Sequence, residues 1–296
     1  MSVETNLAGE DKIGGFRFVR VLHPGATSVV MEVVQESTGR RFAMKQLNPT
    51  RAEIASERRL FEFEAKLGMD LRHPNLVHVH EYFKGRDAPY FVMDLFPAYH
   101  LKLPIARPSV YPMPVAQLHR IIEQAAAGLA FMHEKGWVHR DVKPENILVN
   151  KSGEVKVIDY ALAMKPFGPF KKLFVKKAPV QGTRSYMSPE QIRGLPPTPS
   201  ADIYSFGITC YELACGRPPF RANSDNELLN KHIREKPLPL AAVNKDITQE
   251  FSDLVLKMIE KKPANRPESL REFLSKFARI RIYKTDPDPS APRTGL

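Results

Sequence analysis

The sequence predicts an α+β fold in two lobes, a strand-rich first third followed by a helix-rich remainder. Three observations predict it. Short apolar runs at 16–21, 28–34 and 41–47 are divided by turn residues. Longer stretches at 117–133 and 201–213 carry apolar residues at helical spacing. The length of 296 residues, with 43% hydrophobic and 26% charged, describes a globular chain large enough for more than one core.

Residues 1–12 read as a flexible tail, and 13–280 as one domain. Its first lobe, 13–93, opens with the three strands as an antiparallel meander, turned at Ser37-Thr38-Gly39-Arg40. A helix follows over 52–67, with Ile54, Phe61 and Leu67 as buried candidates. His73-Pro74-Asn75 breaks it before strands at 76–83 and 89–95, and a hinge falls at 93–96. In the second lobe, 97–280, Pro97, Pro104, Pro108, Pro112 and Pro114 exclude a long helix between 96 and 114. The 117–133 helix then aligns Leu118, Ile121, Ile122, Ala125, Leu129 and Met132. Residues 201–213 form another apolar helix, and 223–233, 248–259 and 267–277 shorter ones. Residues 281–296, with Asp286, Pro287, Asp288, Pro289 and Pro292, read as a flexible tail.

Lys and Arg number 44 against 33 Asp and Glu, a net charge of +11 that invites anionic partners. No nucleic-acid-binding module is recognisable, so no specific nucleic acid is expected. Cys210 and Cys215 lie on different helical faces, which suits two free thiols in a reducing compartment. The first twelve residues hold no apolar run and no stretch reaches a membrane span. The expected location is cytoplasmic.

The densest chemistry lies in Val138-His139-Arg140-Asp141-Val142-Lys143-Pro144-Glu145-Asn146-Ile147-Leu148-Val149. Unpaired charge is costly to bury, so this reads as a polar loop anchored by apolar ends. Asp141 would accept a proton, Lys143 would stabilise developing negative charge, and Asn146 would hold a divalent metal. The stretch resembles the catalytic loop of protein kinases, with Lys143 similar to the serine/threonine branch. Ser188-Pro189-Glu190-Gln191 is similar to bacterial members of the eukaryotic-like (Hanks-type) group. The resemblance implies a bilobal protein-kinase-like fold, a small β-rich N-lobe with one main helix and a larger α-helical C-lobe. It also implies ATP with Mg2+ or Mn2+, and protein substrates.

Other positions gain roles by the same resemblance. Lys45 is similar to the strand lysine that pairs with the α/β-phosphates, and Glu64 to its helix partner. Glu57 and Glu62 are rivals that the spacing to His73-Pro74-Asn75 disfavours. Asp159 is similar to the metal-binding aspartate of the D-F-G triplet, which here reads Asp159-Tyr160-Ala161. Alanine in place of glycine makes positive φ harder to reach, so the resemblance implies a segment restricted in its flip. Leu22, Val30, Ala43 and Leu148 would enclose adenine, Met93 to Leu95 would supply hinge contacts, and His100 falls near the ribose. The phosphate-covering loop departs most, keeping Gly25 alone, with His23 and Ser28 at the outer glycine positions and Pro24 offering no amide. Thr183 would help orient Asp141 and Lys143, Glu190 would pair with Arg266, and Asp202 would anchor the loop backbone.

Between Asp159 and Thr183 there is no serine or threonine to carry the phosphate that Arg140 ordinarily receives in this family. Instead Lys165, Lys171, Lys172, Lys176 and Lys177 alternate with Phe167, Phe170 and Phe174. Residues 165–177 read either as a docking segment for an acidic protein or an anionic membrane surface, or as a solvated run whose rings pack on the second lobe. The altered phosphate loop and Ala161 keep a second functional reading open, a pseudokinase acting as a nucleotide-binding scaffold.

Overall fold

The computed structural model describes residues 12–85, 87–166 and 180–287. The chain divides into two compact units. Unit 1 runs to Pro97 and includes Asp159–Ala161; unit 2 comprises Ala98–Ile158 and the chain from Leu162.

Unit 1 holds strands β1 (Lys12–Ile13), β2 (Phe16–Pro24), β3 (Ser28–Gln35), β4 (Arg41–Leu47), β5 (Val79–Phe83) and β6 (Tyr90–Met93). They form an antiparallel sheet in the order β1-β2-β3-β4-β6-β5. Alternation along β4 sends Phe42 and Met44 into a cluster with Phe16, Met31, Val33 and Val92. Lys45 therefore faces the opposite side, where Leu47, Val79 and Phe91 pack with Phe61 and Ala65 of a helix. On β3, buried Glu32 accepts from Arg20 Nε (2.8 Å) and Arg41 Nη1 (2.7 Å).

The helix expected over 52–67 is two elements, α1 (Pro49–Ala52) and α2 (Ala55–Asp70). Ile54 stands between them with extended backbone at φ −88°, ψ 111°. It is 42% exposed rather than buried, because it caps α2 from outside instead of sitting on its inner face. Phe61 and Leu67 are buried. The strands expected over 76–83 and 89–95 are shorter, because His73-Pro74-Asn75-Leu76 forms a turn and Pro89 lacks an amide for the ladder.

Unit 2 holds a small sheet, β7 (Tyr99–His100), β8 (Ile147–Val149) and β9 (Val155–Val157), in that order. Its helices are α3 (Lys102–Ala106), α4 (Leu118–Glu134), α5 (Pro189–Ile192), α6 (Pro199–Cys215), α7 (Asp225–Arg234), α8 (Leu240–Val243), α9 (Gln249–Met258) and α10 (Leu270–Phe277). Helix α6 is buried at every position from Ala201 to Ala214, as its all-round apolar character dictates. It ends at Gly216, whose φ of 69° closes the helix in the left-handed region. Ser224, Thr248 and Ser269 cap α7, α9 and α10 by accepting an amide of the first turn.

Ile282 and Tyr283, which the sequence placed in the C-terminal tail, are buried. Thr248 N donates to Ile282 O, and Tyr283 Oη to Ala214 O. Two apolar side chains thus extend the core past the point where proline and aspartate begin to dominate the composition. Cys210 and Cys215 are free thiols, and burial pushes both up, Cys215 to about 12. Among the described residues no helix is long and apolar enough to cross a membrane.

Candidate active site

In unit 2 the loop between α4 and β8 is built around Asp141. Thr183 donates to Asp141 Oδ1 through its amide (2.9 Å) and its hydroxyl (3.0 Å). Lys143 Nζ donates to Asp141 Oδ2 (2.6 Å) and to Thr183 Oγ1 (2.7 Å). Asn146 Nδ2 donates to Asp141 O (2.8 Å) and to Oδ2 (3.1 Å). Burial alone would raise the Asp141 carboxyl, but the Lys143 ammonium and then the Thr183 amide hold it below the ordinary carboxylate range. The carboxylate is ionised and aimed, with its position set from both sides.

The loop itself is fastened from below by Asp202 on α6. Its oxygens accept His139 N (2.7 Å) and Arg140 N (2.8 Å), and His133 Nε2 lies 2.9 Å from Oδ2. Burial would raise Asp202, yet the His133 contact and these amides keep it below its usual range. Arg140 adopts a φ of 71°, a strained conformation for a side-chain-bearing residue. Gln191 donates to its carbonyl at 3.0 Å. Arg140 Nη1 donates to Leu162 O at 3.4 Å. Arg266 clasps Glu190 with two bonds of 2.6 and 2.9 Å, both groups buried.

In unit 1, Lys45 Nζ donates to both oxygens of Glu64, at 2.6 and 2.8 Å, and lies 3.9 Å from Asp159 Oδ1. Burial alone would depress Lys45; the Glu64 and Asp159 carboxylates more than reverse this and hold its ammonium above the ordinary range. The rivals are engaged elsewhere, Glu57 by Arg51 and Glu62 by Lys66. Asp159 has a φ of 69°, while Ala161 does not adopt positive φ. The glycine of the family triplet is therefore not needed here; the unusual conformation falls on the aspartate.

The remaining expected contacts of unit 1 lie on β2 to β6. Val30 stands opposite Lys45, and Ala43 opposite Met93. Leu22 sits in an irregularity between Val21 and His23 and is exposed; Leu95 is half-buried beyond β6. Gly25 N donates to Ser28 O, so this amide is consumed by the turn. A Cβ on Gly25 would stand 2.6 Å from Ser28 O, so only glycine fits this close approach. Asn48 braces the turn, donating through its amide to Thr27 O and its side chain to Ala26 O. In unit 2, Leu148 pairs with His100 across β7 and β8. Of the basic run, Lys165 lies over Trp137 at 5.0 Å, whereas Phe167, Phe170, Lys171, Lys172, Phe174, Lys176 and Lys177 fall outside the described residues.

For a metal, the donors on offer are hard oxygens. Asp159 is 38% exposed on its side chain, and Asn146 spends its nitrogen on Asp141, leaving its carbonyl oxygen outside those bonds. Among the described residues no cluster of three or more His, Cys, Asp or Glu could hold an ion. Each of the two side chains offers an oxygen of the kind that hard divalent cations take.

Sequence reasoning missed a third group. Glu212 on α6, 1% exposed, accepts from Lys102 Nζ (2.6 Å) and Tyr186 Oη (2.6 Å). An acid within an apolar helix signals a buried partner, but nothing in the sequence points to Lys102. His133 and Gln191 were missed for the same reason.

Residues 16–277 match the protein kinase domain model. Serine/threonine-protein kinase PknA of Mycobacterium tuberculosis is 32% identical over 94% of this chain and 64% of that protein. A probable serine/threonine-protein kinase of Clostridium acetobutylicum is 32% identical over 91% of this chain and 40% of its own length. PknB of Mycobacterium leprae is 33% identical over 86% of this chain and 40% of its own. The chain thus spans between 40% and 64% of these relatives.

Proposed function

The chain belongs to the protein kinase domain family, in its bacterial serine/threonine group, and on that premise we propose that it transfers the γ-phosphate of ATP to serine or threonine hydroxyls of a protein. The observation that carries the reading is the Asp141 carboxylate held by Thr183, Lys143 and Asn146. Asp141 accepts a hydrogen bond from the substrate hydroxyl, orients it, and takes its proton as the bond to phosphorus forms and the bond from that phosphorus to the bridging oxygen breaks, releasing ADP. Lys143 stabilises charge on the transferred group, and Lys45, steadied by Glu64, holds the nucleotide phosphates. A divalent cation, Mg2+ or Mn2+, held by Asn146 and Asp159 would neutralise phosphate charge. Leu22, Gly25, Val30, Ala43, Met93, Leu95 and Leu148 are proposed to contact the nucleotide. Two cysteines kept as thiols favour a cytoplasmic setting, and the lysines of 165–177 favour an acidic protein or anionic membrane partner.

Incubation with labelled ATP, Mg2+ and a basic protein substrate tests the reading. Asp141→Asn should lower phosphate incorporation by at least about 100-fold, the range general-base removal produces. Equal incorporation by the two proteins would overturn it. The scaffold reading draws support from one observation, the turn that consumes the Gly25 amide beside amide-less Pro24. It requires nucleotide binding without turnover.

A further inference from the structure

The segment Asp159–Ala161 belongs to unit 1 by its contacts, although the chain on either side of it belongs to unit 2. Asp159 holds a φ of 69°, which side-chain-bearing residues adopt rarely and only where their surroundings impose it. The residue next in sequence is anchored within unit 1. Tyr160 is 1% exposed, and its hydroxyl donates to Val77 O at 3.0 Å. Burial pushes this phenol far above its ordinary range, so it remains a donor at any working pH.

The ring lies against helix α2. A Cβ on Gly68 would stand 2.5 Å from Val79 Cγ2, so Val79 is what requires glycine there, and 3.5 Å from Tyr160 Cδ2, an ordinary contact that sets the ring beside α2. Gly68 is one helical turn beyond Glu64, on the same face. The helix that supplies the partner of Lys45 therefore also seats the ring that follows Asp159. A phenylalanine would fill the same volume, but it would leave Val77 O without this donor.

We propose that the Tyr160 hydroxyl latches Asp159 in the pose where its carboxylate faces Lys45, which makes Tyr160 a positioning residue for the cation that Asp159 holds. The metal half of this inference rests on the kinase reading; the latch itself does not. Loss of one neutral hydrogen bond of ordinary net strength corresponds to about a fivefold change in an equilibrium.

Tyr160→Phe tests both halves in the full chain. Without nucleotide or metal, amide hydrogen exchange at Asp159, Tyr160 and Ala161 should quicken about fivefold, while β2 to β4 keep their protection. By calorimetry, the Mg2+ concentration giving half-maximal tightening of ATP binding should rise about fivefold, with metal-free ATP affinity changed less than about twofold. Unchanged exchange at the three amides would overturn the latch. Faster exchange with an unchanged Mg2+ midpoint would overturn the positioning role. If the wild-type protein transfers no phosphate, the kinase reading falls, and the exchange measurement still decides the latch.

Discussion

The Glu190–Arg266 pair offers a test of how far burial, rather than geometry, sets the value of an ion pair. Its side chains are 6% and 0% exposed, and the shorter of its two bonds is 2.6 Å. Lys276 and Glu272 on α10 make a bond of the same 2.6 Å with side chains 57% and 35% exposed. Glu190→Gln keeps the volume but turns an amide NH2 toward the guanidinium. One charge-assisted bond is lost and a buried cation is left uncompensated. Arg266 still donates to Glu260 O and Ser200 O, which limits the damage. The expected cost is about 3 kcal/mol, the low end for breaking a buried pair from one side. Lys276→Ala should cost at most about 0.5 kcal/mol, because water already screens that pair. Trp137, the sole tryptophan, lies in unit 2 and reports unfolding there by fluorescence. With a urea slope of about 3 kcal/mol/M, the Glu190→Gln midpoint should fall by about 1 M. A shift no larger than the control's, at most about 0.2 M, would refute the claim that burial makes this pair structurally decisive.

Three further outcomes follow from the same geometry. Thr183→Val removes the hydroxyl that donates to Asp141 and accepts from Lys143, so kcat should fall about 10- to 100-fold with KM for ATP little changed; steady-state kinetics would show it. His232 is held neutral down to about 3, first by burial and then by the nearby Lys261 charge. Its folded pKa lies below its unfolded one, so the unfolded chain binds the extra proton between about pH 6.5 and 3, and stability falls as pH drops through that window. Between pH 7 and 5 this residue should withdraw about 2 kcal/mol, a loss absent from the pH series of His232→Gln in urea titrations. Asp141, held below the usual carboxylate range, stays ionised as pH falls toward that range. Activity measured from pH 8 to 6 should therefore show no acid limb from this group, and the Asp141→Asn residual rate should be flat over the same interval.

The loop from Val138 to Val149 was legible because its chemistry is local: charges that cannot be buried alone, bracketed by apolar residues that must be. The meander was legible because alternation along β2 to β4 repeats at the period of a pleated strand. Ile54 misled because apolar character does not say which side of a helix start a residue occupies. Glu57, Glu62 and Glu64 share one helix, and their neighbours Arg51, Lys66 and Lys45 come from elsewhere in unit 1 or from the next turn. Chemically they are identical; only the placement of β4 against α2 selects Glu64.

By itself, then, the amino-acid order determined the strand meander, the main helices and the polar loop with its charged side chains, since propensity, period and the cost of burying charge act over short stretches. Tertiary structure alone decided the partners: Tyr160 with Val77, 83 positions away, and Lys102 with Glu212, 110 positions away. Such pairings are set by how whole elements stack, and the stacking depends on the entire core rather than on either residue.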